Sequence, residues 1–180
     1  TGTSTHSSWP TDDGNFLVVA EERSGGRVRI FDISQSSPLE VASFSANSLG
    51  ISAFSPHNPI IEGDRLYVSW YQAGVQVFDI SDPTNPVYLG GYDTFPGAIS
   101  QFDGNWGVHP WSENSTHIVA SDMQTGLYIL SNVEAGSHVA NVSTNEVVTG
   151  IDFGTFIPSP GEPGLVGHWT FDETSGTTAV

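Results

Sequence analysis

The tetrapeptide Phe-Asp-Ile-Ser is written twice, at 31–34 and 78–81, each time after an alternating apolar run and before a proline-bearing turn. Asp32 and Asp79 are 47 positions apart, and a weaker third copy, GLYILSNV, begins at Gly126, 52 positions after the Gly74 that opens GVQVFDIS. A period of roughly 40–50 residues marks a supersecondary unit that stacks on copies of itself, and in a chain without helical periodicity that unit is read as a propeller blade. The repeat constrains the fold strongly, because each unit carries apolar faces that its neighbours must bury.

Overlaid, the copies define three units that begin near His6, His57 and His109, at spacings of 51 and 52 residues. Four strands are expected in each. In the second unit they are a strand after His57, then RLYVSW, VQVFDIS and VYLGGYD, joined by the turns EGD, YQAG and DPTNP. Alternation puts Val75, Val77 and Asp79 on one side of the third strand and Gln76 and Phe78 on the other. Pro83 presets the DPTNP turn, Asp82 accepts from the backbone ahead of it, and Pro86 enters an outer strand where a missing N–H costs least. The first unit differs by extra residues around DDGN and ERSGG, where loops are expected.

The composition agrees with short strands and many turns: ten Phe, five Trp, five Tyr, twenty Gly and eleven Pro. Four Arg and no Lys face twenty carboxylates, for a net charge of −16. Such a surface repels phosphate backbones and anionic lipid, so neither nucleic acid nor membrane is an expected partner. Without cysteine there is no disulfide scaffold and no thiolate metal site. No apolar run approaches the roughly 20 residues of a membrane helix, and TGTSTHSSW lacks the charged and apolar regions of a signal peptide. Asn114 and Asn141 lie in glycosylation sequons.

The run RLYVSWYQAGVQVFDISDPTNPVYLGGYDT, together with NWGVHPWSENSTHIVASDMQTGLYIL, resembles the LVIVD-repeat proteins of bacterial surfaces, and within them the choice-of-anchor B type. The resemblance spans about Thr5 to Leu130; the first unit departs from it, with QSSPLE in place of DPTNPV. It implies a secreted or surface-attached β-propeller with no assigned catalytic residue. GLVGHWTFDETSGTTAV resembles the opening of a LamG-like, concanavalin-type jelly roll. The expected organisation is therefore all-β: a partial propeller of about three four-stranded antiparallel blades (1–131), a β-rich connector with a Pro/Gly linker (132–163), and the first strand of a jelly roll (164–180).

No standard catalytic signature is present: no G-x-S-x-G elbow, no phosphate-cradling glycine loop, no H-E-x-x-H. The repeat places His6, His57 and His109 at one mouth of a channel, with Glu21, Trp70 and Asp122 at an equivalent position beside them. A nitrogen and oxygen set of His6, His57, His109, Glu21 and Asp122 suits Zn²⁺, Cu²⁺ or Ni²⁺ better than Ca²⁺; the plainer reading is packing beside Trp9 and Trp111. Asp12, Asp13, Asp79 and Asp82 are candidate Ca²⁺ ligands, although Asx-rich turns usually serve only as turns. Trp70, Tyr71 and Trp111 are candidates for ligand stacking, against a core role. His117, His138 and His168 follow no repeat.

The sequence thus leads to a non-catalytic extracellular binding or display module at a bacterial surface, with a protein or carbohydrate partner. Free sheet edges in a three-blade arc point to self-association or a larger assembly. The competing reading is a metal-dependent enzyme or metal-binding propeller built on the histidine ring, with Ca or Zn as cofactor.

Overall fold

The computed structural model describes residues 4–95, 97, 101–110 and 117–131, and a strand at 165–169. The described chain is all-β apart from one 3-10 turn at Asn47–Leu49. Three four-stranded antiparallel sheets follow one another. The first is the meander of β1 (Thr5–Pro10), β2 (Phe16–Glu21), β3 (Arg27–Asp32) and β4 (Leu39–Ser45). β5 (Pro59–Glu62), β6 (Arg65–Ser69), β7 (Val75–Asp79) and β8 (Val87–Tyr92) make the second. The third orders β9 (Asn105–Pro110), β10 (His117–Asp122) and β11 (Gly126–Ser131), with β12 (Leu165–Trp169) outermost. The third strands start at Arg27, Val75 and Gly126, at the places the repeat predicts to within one residue.

Alternation along the strands decides how the sheets stack. In the second sheet Leu66, Val68 and Phe78 join a buried cluster with Val18, Val28 and Ile30 of the first sheet. Tyr67, Val75, Val77 and Tyr92, on the opposite face, join Val108, Ile118, Ala120, Tyr128 and Leu130 of the third. The middle sheet is therefore apolar on both faces because both are covered, and β7 divides as its alternation predicts. Gly74 closes the turn before it at φ +69°, where a Cβ would lie 2.0 Å from the Tyr92 carbonyl oxygen. Only glycine fits that approach.

The two end sheets differ on the faces they turn away from the middle. On the first sheet the side chain of Glu21 is fully buried, 2.9 Å from the Arg23 guanidinium, 3.7 Å from Arg27 and 3.3 Å from Arg29. Arg29 also pairs with Glu40 and lies 4.7 Å over the Phe31 ring. On the third sheet Val119 sits opposite Ile129, half-buried, and neither residue belongs to a buried cluster.

The segment that resembles the opening of a jelly roll contributes β12, whose backbone pairs with β11, Leu127 opposite Trp169 and Ile129 opposite Gly167. The connector at 132–163, the remainder of 164–180, Trp111, His138, Asn114 and Asn141 lie outside the described residues.

Candidate functional site

The innermost strands of the three sheets, β1, β5 and β9, lie side by side, and their entrances form one mouth. In β1 the register steps from Thr5 opposite Glu21 to Ser7 opposite Ala20, so His6 is the extra residue of a bulge. In β9 it steps from Asn105 opposite Asp122 to Gly107 opposite Ser121, and Trp106 is the extra residue. Just ahead of β5, the His57 amide donates to the Ser69 carbonyl and the Ser69 amide to Asn58, which puts His57 at the same place. Bulges bend a strand and re-aim a side chain, and they recur beside functional sites. Here they turn His6, His57 and Trp106 toward one another: the His6 and His57 rings are 4.7 Å apart and the His57 and Trp106 rings 4.2 Å. The Ser7 hydroxyl, donating to the His57 carbonyl, ties the first two sheets together here.

His57 is 2% exposed. Its Nδ1–H donates to the Trp106 carbonyl at 2.7 Å, which fixes the tautomer and leaves Nε2 facing His6 Nε2 at 3.1 Å. Burial holds the His57 imidazole below its usual pKa range, offset in part by that hydrogen bond, so its Nε2 presents a lone pair. His6 Nδ1 lies 2.9 Å from a Glu22 oxygen. His6 thus stands between the Glu22 carboxylate and the His57 Nε2 atom. Glu22 Oε1 lies 3.9 Å from His57 Nε2 and accepts from the Tyr71 hydroxyl. Burial, and then Glu22, push the Tyr71 phenol above its usual pKa, keeping it a donor.

Tyr71 stands at φ +35°, a left-handed conformation rare for a bulky residue. Its carbonyl accepts from the amides of Gly74 and Asn105, each at 2.9 Å. A Cβ at Gly104 would lie 2.4 Å from the same carbonyl oxygen. Backbone held this way is found where a side chain must be kept at one place. The strain therefore lies at the residue that positions Glu22.

The five residues expected to share a metal do not all meet. His6 and His57 do. His109 lies opposite Val119, on the exposed face of the third sheet, because Trp106 and not His109 occupies the position equivalent to His57. Glu21 is held by the arginines on the far side of the first sheet. Asp122 accepts from the Thr94 hydroxyl at 2.7 Å and from the amides of Gln124 and Thr125 at 2.9 Å each, closing the turn after β10. Glu22, one residue past the expected carboxylate, supplies the oxygen. Among the described residues, His6, Glu22 and His57 are the one group of three potential metal ligands, with ligand atoms within 4.8 Å of one another.

The expected stacking surface shifts in the same way. Trp70 and Tyr71 are buried at 1% and 0%, Trp70 within the core and Tyr71 behind the mouth. The exposed rings are Phe102 and Trp106, 5.4 and 6.1 Å from the Tyr71 ring. Of the candidate calcium residues, Asp13 accepts from Thr11 and Asn15, Asp79 from Ser81 and Arg65, and Asp82 from Thr84, while Asp12 is exposed in the same turn as Asp13. These bonds hold turns and lower the pKa of all three bonded carboxyls, the side-chain hydrogen bond being the largest cause. The histidine spacing of 51 and 52 residues does not point to Glu22, Trp106 or Phe102, because it is not the register of the mouth. The 49-residue step from His57 to Trp106, equal to that from Glu22 to Tyr71, gives the correct one.

The LVIVD repeat matches residues 60–94, the stretch from β5 to the end of the second sheet. No curated protein matches the chain. In fold the chain is similar to a candidate 6-phosphogluconolactonase from Bacteroides fragilis NCTC 9343, with a TM-score of 0.54 and 16% identity over 72% of this chain and 35% of that one. A candidate 6-phosphogluconolactonase from Bacteroides uniformis ATCC 8492 is similar at a TM-score of 0.52 and 16% identity, over 74% of this chain and 38% of that one. This chain thus spans little more than a third of those structures. At that identity the likeness concerns the propeller-like fold alone.

Proposed function

We propose that the three sheets are consecutive blades of a β-propeller and that the chain is a binding and display module of a secreted or surface-attached bacterial protein, not a catalyst. The blade reading is supported by the meander order, by the covered faces of the middle sheet, and by the 49–51-residue steps between residues that meet at the mouth. The choice-of-anchor B type and the LamG-like continuation rest on the sequence resemblance.

The observation that carries the binding reading is the rim of the mouth. Phe102, Trp106 and Met123 are exposed at 41%, 46% and 45%, and the Met123 amide donates to the carbonyl of Gly104, beside the Tyr71 backbone. Exposed aromatic residues and Met are enriched where proteins meet. The acidic surface selects a partner protein with apolar anchors and a neutral or basic face. A phosphorylated sugar, the substrate class that the neighbours' names suggest, finds little support here. All four arginines are in ion pairs with Glu21, Glu40 or Asp79.

The test immobilises two probe sets, basic peptides with apolar anchors and neutral cell-surface glycans, and measures binding of the chain and of Trp106→Ala. Peptide binding weakened about tenfold or more by Trp106→Ala is expected. Binding to glycans alone would transfer the rim to carbohydrate. Hydrolysis of 6-phosphogluconolactone by the purified chain would overturn the non-catalytic reading.

A further inference from the structure

We infer that His6, His57 and Glu22 form a three-ligand site for a divalent transition-metal ion of the zinc class. The inference is independent of the partner proposed for the rim. Two imidazoles and one carboxylate are a donor set that zinc accepts, with a fourth position left for water or a ligand. At bond lengths of about 2.0–2.1 Å, two nitrogens on a tetrahedral ion stand roughly 3.3 Å apart. His6 and His57 hold their Nε2 atoms at 3.1 Å.

Two nitrogens facing at that distance need something between them. A proton on His6 serves, and a cation serves equally, using the lone pairs of both rings. The orientation of His57 suits the second occupant. Its Nδ1–H on the Trp106 carbonyl is the outer hydrogen bond by which metal-bound imidazoles are usually aimed. Glu22 has an outer partner too, the Tyr71 hydroxyl, whose backbone is the strained residue of the mouth. Rotation of the half-buried Glu22 side chain brings its oxygen onto the ion, and solvent reaches the site past His6, whose side chain is 39% exposed.

The chain as it stands is titrated calorimetrically with zinc chloride, and in parallel with cobalt chloride followed by visible absorption. One equivalent is expected to bind, with the intense cobalt bands of a four-coordinate nitrogen and oxygen site. His6→Ala and Glu22→Gln should each weaken zinc by about 100-fold or more, beyond the cost of losing an outer partner. Both positions are solvent-reachable, and near-ultraviolet circular dichroism reports whether each variant keeps its fold. Should His6→Ala fail to fold, His6→Gln replaces it. His109→Ala, on the exposed face of the third sheet, is expected to leave affinity unchanged. Absence of binding, or affinity and stoichiometry equal in the parent and the His6 variant, would overturn the site. In the second case the ion would be held by the acidic surface at large.

Discussion

Glu21 turns its carboxylate to the outer face of the first sheet, where three arginines hold it, while Glu22, one peptide bond on, reaches His6 and Tyr71 across the mouth. A fully buried carboxylate is tolerated as an ion only when it is paired, and removing one partner leaves the others uncompensated. The arginines are partly exposed, which moderates the cost. Glu21→Gln is therefore expected to destabilise the chain by about 1–3 kcal/mol in urea unfolding and to leave binding at the mouth unchanged. An unaltered midpoint would mean that solvent already screens the cluster. The contrast explains what the sequence conceals at this scale. Glu21 ends a readable strand and aligns with Trp70 and Asp122, all three buried. Glu22 follows a strand whose end is set by a turn, and its direction depends on a bulge in another strand. Local pattern does not encode that.

At the scale of the element, the turns carry most of the acidic character into structure. Asp13, Asp32 and Asp82 each accept from a hydroxyl and a backbone amide two residues away or nearer, and Asp79 does so with Ser81 and is bonded by Arg65 as well. Each carboxyl is held below its ordinary pKa, with the side-chain hydrogen bond as the largest cause. A depressed folded pKa contributes stability that is present above the unfolded value, near 4, and is lost as pH falls through the folded one. Asp93 has the opposite sign: burial raises its pKa, so its charge opposes folding at neutral pH and protonation relieves it. Glu40, bonded by Arg29, is shifted down as well, and the buried His57 imidazole, held below its usual range, loses stability as pH falls through the unfolded value near 6.5. Against Asp93 alone, these groups predict a melting temperature that declines modestly below about pH 6.5 and falls steeply below pH 4. Asp32→Asn and Asp82→Asn together should flatten that fall; an unchanged slope would place the acid lability elsewhere. Strands and turns of this kind were legible because FDIS and DPTNP state both the alternation and the side-chain acceptor. The outermost strand of the third sheet was not, since β12 lies beyond a connector of more than thirty residues, and periodicity does not assign a partner across such a distance.

For the whole molecule, the two end faces of the three stacked sheets differ in what they leave to solvent. The first sheet closes itself with Glu21, Glu40 and three arginines, a polar face already satisfied from within. The third sheet presents Val119, Leu127 and Ile129 on the face turned from the middle, half-buried and outside both clusters. Uncovered apolar area of this kind draws another surface onto it, since burying a side chain such as Ile stabilises by about 1.5–3 kcal/mol. The chain on its own is therefore expected to self-associate through the third sheet, with a weight-average mass in sedimentation that rises with concentration. Raising salt should strengthen the association, because it screens repulsion between two chains of net charge −16. Ile129→Glu places a charge at the centre of the face and should return the chain to a monomer, while Arg27→Glu on the first sheet should not. A monomer at every concentration would overturn the self-association, and an association relieved by Arg27→Glu alone would move it to the charged face of the first sheet.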